Sequence, residues 1–374
     1  MMVQRPPAEI GMTIDEIDTP ALVVDLDIYE RNLDKMAKLV HDAGKKLRPH
    51  AKMHKSPDVA HDQITRGAVG VCCQKISEAE IMVEGGINDV LITNEIVSPA
   101  KLARVARLAK QAKIGICVDD AGATRALNDA CAREDAHVRV LIEIDVGGHR
   151  CGVTSPAEAL ALAKLIKSLS HLNFGGLQAY HGSAQHKRTA QERSDAVSGA
   201  ADIIRETRQL LEASGIGCDI VTGGGTGTLM HDINYPEWGE LQCGSYAFMD
   251  ADYAKNRLND DQFGTGFEHA FFVRTVIMSI CQPEIVVADA GLKAIASDSG
   301  NPTIVGHEHL TYRMTSDEHG CITVSGTERF ELGEKLMLIT GHCDPTINLY
   351  DWIVGIRNGK VEKLWPVAAR GALS

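Results

Sequence analysis

DVLITNEIVSPAKLARVARLAKQAKIGICVD, residues 89–119, holds two short apolar segments, DVLIT (89–93) and KIGICVD (113–119), on either side of a longer amphipathic one. In SPAKLARVARLAKQA (98–112) the apolar positions recur at helix spacing, so the stretch predicts strand, helix, strand, with the two strands parallel. The same rhythm runs outward in both directions, from about residue 45 to 246. It gives eight strand candidates: KLRPHAK (46–52), VGVCCQ (69–74), DVLIT, KIGICVD, VRVLIEID (138–145), FGGLQAY (174–180), CDIVTG (218–223) and ELQCGSY (240–246). The longest helical pattern, TAQERSDAVSGAADIIRETRQLLEASG (189–215), ends on a glycine stop. A doubly wound open sheet would also alternate in this way. Eight strands close a barrel, however, and polar and glycine-rich residues cluster at nearly every strand's C-terminal end, where barrel active sites are built. The expected fold class is therefore α/β, a (β/α)8 barrel.

After about residue 262 the pattern becomes Val/Ile/Thr-rich strands punctuated by turn signals, as in FFVRTVIMSICQ, EIVVADAG, GCITVSGTERF, EKLMLITGH and WIVGIRNGKVEKLW, with NG and HG marking turns. This predicts a second, mainly antiparallel β domain. TPALVVDLD (19–27) would be a ninth barrel strand, so it is assigned to the second domain's sheet. The expected organisation is a barrel over 28–262 and a β domain made of 1–27 plus 263–374, with no internal repeat.

The chain has 374 residues, 44% hydrophobic and 24% charged, and is long enough for one large domain and a smaller one. Asp and Glu outnumber Lys and Arg by 50 to 38 without a long basic run, which argues against a nucleic-acid partner. MMVQRPPAEIGMTIDE lacks the apolar core of a signal peptide, and no segment approaches the roughly 18 apolar residues of a membrane span. A soluble, cytoplasmic protein is expected. The ten cysteines include no CxxC pair and read as reduced core thiols rather than a disulfide framework.

Four constellations carry chemistry. RPHAKMHK (48–55) ends the first barrel strand with Lys52 among His50, His54 and Lys55; a cation-rich, partly buried site would depress the lysine pKa, as a Schiff-base amine requires, though a surface strand end has the same residues. TGGGTGT (222–228) follows the seventh strand and, with Gly244, Ser245 and Tyr246 after the eighth, stands where barrels often bind phosphate; a plain flexible turn is the alternative. It is neither a Walker motif nor GxGxxG in a first βα turn. In GHCDPTINLYDW (341–352), His342 and Asp344 would share a face of an extended segment, with Cys343 turned away. Imidazole with carboxylate suits a divalent ion, or else a structural hydrogen bond. Finally, QAYHGSAQH (178–186) ends the sixth strand with Tyr180, His181 and His186, candidates for acid–base work. Arg150, after the fifth strand, adds a fixed cation at the same face, or a surface ion pair.

A lysine on the first strand, an arginine after the fifth, a glycine-rich loop after the seventh and a β domain behind them together resemble the alanine-racemase-like class of pyridoxal-phosphate enzymes. The strings RPHAKMHK, GVCCQKISEAE, EIDVGGHRCGV, LQAYHGSAQH, TGGGTGT, LQCGSYAFMDADY, DAGLK, DEHG, GHCDPT and WPVAARG resemble, in order and over nearly the whole chain, the metal-dependent D-threonine aldolases. ITNE (92–95), MHKS (53–56) and RNGKVEKLWPVAARG (357–371) resemble the 3-hydroxy-D-aspartate aldolases of the same family. The resemblance implies that pyridoxal 5'-phosphate is carried by Lys52, with Arg150 near the pyridine nitrogen and Gln178 and Tyr180 along the ring. It implies phosphate contacts from Thr222, Gly224, Gly225, Thr226, Ser245 and Tyr246. His342 and Asp344 would bind a divalent metal, manganese or magnesium before zinc or cobalt, and His186 would be the base for the substrate hydroxyl.

The expected activity is that of a lyase: retro-aldol cleavage of a small 3-hydroxy-D-amino acid, either 3-hydroxy-D-aspartate to glycine and glyoxylate or D-threonine to glycine and acetaldehyde, with a slight lean to the former. The related D-serine dehydratases have His-x-Cys where this chain has His-x-Asp, which disfavours dehydration of D-serine or 3-hydroxyaspartate without removing it as the alternative. A racemase, or a cofactor-carrying protein without catalysis, would use the same scaffold. The resemblance also implies a homodimer.

Overall fold

The computed structural model describes residues 5–259, 262–282, 284–314, 316–324 and 328–374. All eight barrel strands form, as Lys46–Leu47, Val71–Cys73, Asp89–Glu95, Lys113–Val118, Val138–Glu143, Leu172–Ala179, Ile220–Gly223 and Glu240–Leu241. They are parallel throughout; from the second to the eighth each is bonded to the next in sequence, and the last pairs with the first through Lys46 and Glu240. The remaining seam, between the first and second strands, is closed by a parallel bridge from His50 to Cys72 and by the Cys72 amide donating to Pro49 O at 2.9 Å. The first and last strands are shorter than their apolar runs suggest: after Leu47 and Leu241 the chain turns into short 3-10 segments, Ala51–Met53 and Ser245–Ala247, which carry site residues.

The helices between strands start where side chains satisfy their free amides. Asp120 caps Ala121–Glu134 by accepting from Ala123 N at 2.8 Å, and Thr189 with Glu192 forms a capping box at the head of Ala190–Ala213. Inside the barrel, Cys72, Leu91, Cys117 and Leu141 pack together. At the strands' N-terminal ends the interior is plugged by charge. The Arg48 side chain, only 3% exposed, donates to Glu240 at 2.8 Å and to Asp89 at 2.7 Å, and Arg139 reaches the same Asp89 carboxylate at 3.1 Å. Glycine makes the room: a Cβ on Gly175 would lie 2.7 Å from the Arg139 side chain. One end of the barrel is therefore filled, and the other is left for a site.

Among the described residues the second sheet has nine strands. Phe271–Gln282 is its spine: residues 271–274 pair with Ala21–Asp25, 273–276 with Lys335–Ile339, and, past two bulges, 277–282 with Ile285–Ala288. Pairing is antiparallel except between Ala21–Asp25 and Trp352–Arg357. Asn358 and Gly359 take φ of 50° and 70° and join Trp352–Arg357 to Lys360–Pro366 as the NG signal predicts. The HG signal has another cause. Gly320 begins the strand Gly320–Thr323, and a Cβ there would fall 2.0 Å from the Tyr312 hydroxyl, so this glycine makes space for a ring rather than forming the turn.

The thiols of Cys72, Cys73, Cys117, Cys131, Cys243 and Cys343 are free and buried, and those of Cys151 and Cys218 are free and half-buried; the Cys281 side chain lies outside the described residues. Among the described residues no helix is long and apolar enough to cross a membrane.

Candidate active site

At the C-terminal ends of the barrel strands lies a cavity of about 320 Å³ lined by Lys52, Arg150, Gln178, Tyr180, Gly225, Thr226 and Ser245, all expected there. His50, Met53, Gln74, Thr93, Gln242, Gly244 and Tyr253 complete its wall. A second cavity of about 340 Å³ adjoins it, sharing Arg150 and Tyr180, and it is this one that His186 lines.

Lys52 sits in the 3-10 turn just past the first strand, and its surroundings differ from those the sequence suggested. His50 is half-buried on the cavity wall, where loss of solvent, with help from the Lys52 charge, pushes its pKa down to about 3, and full burial brings His54 to about 4, so both rings are neutral. Lys55 is paired with Glu78 at 3.1 Å. The group actually touching Lys52 Nζ is the Asp344 carboxylate. Burial alone would pull the lysine pKa down, but Asp344 more than reverses this and leaves it above the ordinary value. The expected depression is thus corrected: the apparent cation cluster is two neutral rings and a compensated lysine, and a carboxylate 292 positions away sets the sign.

His342 and Asp344 are brought together, but not by an extended segment. His342 precedes a short helix, Cys343–Ile347, and its Nε2 lies 4.0 Å from Asp344 Oδ1. The imidazole is oriented from behind by Asp298, whose Oδ2 is 2.7 Å from Nδ1. With Nδ1–H donating there, the Nε2 lone pair faces Asp344, an N,O donor pair suited to a divalent cation with several positions left open. Among the described residues no group of three or more His, Cys, Asp or Glu side chains stands ready to hold a metal. Burial pushes the Asp344 pKa up, but Lys52 and His342 outweigh it and bring the value down to about 2, so the carboxylate is ionised. The segment hangs from the barrel by main-chain bonds: Ala251 N donates to Thr340 O at 2.9 Å, Asp252 N to Gly341 O at 3.2 Å, and Cys343 N to the buried Asp250 carboxylate at 3.2 Å.

The glycine-rich turn leaves Gly225 and Thr226 on the cavity wall together with Gly244 and Ser245, so hydroxyls and glycine backbone stand at one part of it, a donor set that fits a phosphate. Thr222, Gly224 and Tyr246 stand behind this wall. Thr222 accepts from Gln242 at 2.9 Å, the Cβ position of Gly224 is taken by Asp232, and the Tyr246 hydroxyl accepts from Gln63 at 3.2 Å while its amide donates to Thr226 Oγ1 at 3.1 Å. Gln178 is held by reciprocal amide bonds with Gln242 at 2.6 and 3.1 Å. The Arg150 guanidinium lies over the Tyr180 ring, 5.8 Å from its centroid. His186 Nδ1 is 2.7 Å from Asp252 Oδ2, and its ring stacks on Tyr253. Asp252 is also clamped by Arg188.

The family model for the N-terminal domain of alanine racemase matches residues 24–252, and that for a putative serine dehydratase domain matches 270–356. A D-threonine aldolase of Arthrobacter sp is 46% identical over 367 residues, covering 98% of this chain and 96% of its own. The chain belongs to this aldolase family. Another member, a 3-hydroxy-D-aspartate aldolase of Paracoccus denitrificans (strain Pd 1222), is 44% identical over 373 residues, covering 98% and 95% of the two chains. The crystal structure of a D-threonine aldolase from Filomicrobium marinum superposes with a TM-score of 0.96 at 44% identity, over 99% of this chain and all of the other. The aldolase-family site also contains residues that sequence reasoning passed over: Gln74, Thr93, Gln242, Asp252, Tyr253 and Asp298. DADY (250–253) stood in a string already singled out, whereas nothing local marks Asp298.

Proposed function

We propose that the chain is a lyase that cleaves small 3-hydroxy-D-amino acids by retro-aldol reaction, using pyridoxal 5'-phosphate and a divalent metal, manganese or magnesium before zinc or cobalt. The observation that carries this reading is the contact between Lys52, which lines the cavity, and Asp344; it would bring a metal held by His342 and Asp344 next to a cofactor carried on Lys52. Lys52 would carry the cofactor, Gly225, Thr226 and Ser245 would receive its phosphate, Gln178 and Tyr180 would flank the ring, and Arg150 would face its nitrogen. Thr222, Gly224 and Tyr246 support that phosphate wall from behind.

When bound, the cofactor would supply an electron sink for the pair left on Cα as the Cα–Cβ bond breaks, until a proton returned to Cα makes that fragment glycine. The metal supplies a Lewis acid for the 3-hydroxyl. The chain does the rest. Asp298 fixes His342, and His342 with Asp344 would hold the cation. His186, with Nδ1 tied to Asp252, offers Nε2 to accept the proton of the 3-hydroxyl, and Tyr253 holds that ring flat.

The barrel over 28–262 then binds the cofactor, and the β domain of 1–27 plus 263–374 brings the metal pair to it. A cytoplasmic homodimer accompanies this reading, and light scattering on the purified protein checks the stoichiometry. The deciding experiment offers D-threonine, D-serine and both diastereomers of 3-hydroxy-D-aspartate to the protein with manganese or magnesium. Glycine and an aldehyde, glyoxylate above acetaldehyde, are expected. Ammonia with a keto acid would instead establish the dehydratase alternative.

A further inference from the structure

Where the third and fifth barrel strands end, two glutamates meet. A bulge between Ile92 and Glu95 sets Glu95 beside Cys117 on the fourth strand, and Glu143, the last residue of the fifth, lies beside Gln178 on the sixth. Their carboxyl groups are near enough that the Glu95 charge and side chain act on Glu143 directly. Glu143 is 4% exposed, and two oxygens, Glu95 Oε1 and Glu143 Oε2, are buried without any hydrogen-bond partner. Two carboxylates so close cannot both stay ionised cheaply, and a buried acceptor without a donor costs about 1–3 kcal/mol. A single proton between them removes both penalties. The groups facing the pair are Arg150, whose Nη2 is 4.0 Å from Glu143 Oε1, Asp119, and the Cys117 and Cys151 thiols, whose ionisation burial suppresses. Arg150 is thus the one cation among them.

We propose that Glu95 and Glu143 share one proton as a carboxylic acid–carboxylate pair and, with the one negative charge left between them, position the Arg150 guanidinium between the two cavities. They are positioning residues: they touch neither the reacting atoms nor the expected place of the cofactor. Two full charges would draw Arg150 away from the cofactor cavity, and none would leave only the Tyr180 ring to hold a side chain that is 59% exposed. Burial first, and Glu95 second, push the Glu143 pKa up to about 8, so the shared proton is kept at neutral pH.

The positioning role rests on the proposed place of Arg150 at the cofactor, whereas the shared proton does not. Infrared difference spectra of the holoenzyme across a pH titration, taken in the Asp232→Asn background to remove the other carboxyl that titrates near neutrality, should show the C=O stretch of one protonated carboxyl at neutral pH that disappears as pH rises through about 8. It should be absent from E95Q and from E143Q, because a glutamine amide takes over the proton's role. Each single variant should keep the wild-type pyridoxal-phosphate Kd. The E95Q/E143Q double variant, left without the charge, should weaken it about five-fold, the scale of a partly exposed ion pair. A holoenzyme without the band overturns the shared proton, and a double variant that binds the cofactor as wild type does overturns the positioning role. Neither readout uses turnover, so failure here is separate from failure of the aldolase reading, which the product panel decides.

Discussion

Replacing Asp298 should loosen the proposed metal without touching either of its proposed ligands, His342 and Asp344. Its carboxylate is the partner of His342 Nδ1 at 2.7 Å and is steadied by Ser299 Oγ at 3.2 Å. Removing such an outer partner ordinarily costs about 10–100-fold in metal affinity, because the imidazole loses both its fixed tautomer and part of its basicity. Here Asp298 is 51% exposed, so solvent screens its charge and the lower end applies. Asp298→Ala should therefore raise the manganese Kd about 10-fold, or about 1.4 kcal/mol. Asp298→Asn keeps an oxygen that can accept from Nδ1–H, so it should lie between Ala and wild type. The assay is titration of metal-stripped protein with manganese, following free Mn2+ by electron paramagnetic resonance, with saturating metal restoring turnover. If Asp298→Ala binds manganese as the wild type does, the orientation argument is wrong. If excess metal does not restore turnover, the carboxylate acts on more than affinity.

Other expectations follow from the same structure. His186→Asn should lower kcat about 10²–10⁴-fold with little change in cofactor absorbance, the range for a general base; an unchanged kcat would move the proton acceptor elsewhere. Arg48→Met leaves Glu240 buried and uncompensated, which costs about 3–5 kcal/mol. With unfolding entropy near 2.1 cal/mol/K per residue, that lowers Tm by about 4–6 °C, and the added change Glu240→Gln should recover part of it; a melt within about 1 °C of wild type contradicts the plug. Burial raises Asp232 from 3.8 to about 7, so the folded state holds its proton where the unfolded chain releases it. The sign follows: stability is lost as pH rises from about 4 to 7, and Asp232→Asn should melt progressively above wild type over that window, whereas parallel curves would refute the assignment.

The alternation of short apolar runs and helical patterns was enough to place all eight barrel strands, because each strand buries its own residues and so writes its own pattern. The strand limits after Leu47 and Leu241 were not legible: the residues stay apolar or small while the chain turns to bring Lys52 and Ser245 to the cavity. Chemistry carried by one segment, such as the glycines at 223–225 or the spacing of His342 and Asp344, could be named in advance. What depends on contact across the chain could not. The sign of the Lys52 shift is set by Asp344, the tautomer of His342 by Asp298, and the shared proton by two strand ends 48 positions apart (95 to 143). Composition near Lys52 pointed the wrong way because histidine is a cation only where water lets it be one.

The bonds by which Thr340, Gly341 and Cys343 hang from residues 250–252 have a consequence for how such a chain can change over generations. Two of the three join main chain to main chain, and the third fixes an amide, so the segment keeps its place whatever side chains stand at 342 and 344. Those two positions can be rewritten one at a time while the barrel goes on holding its cofactor. A scaffold anchored in this way can acquire a new reaction by substitution at its rim, with no intermediate that fails to fold.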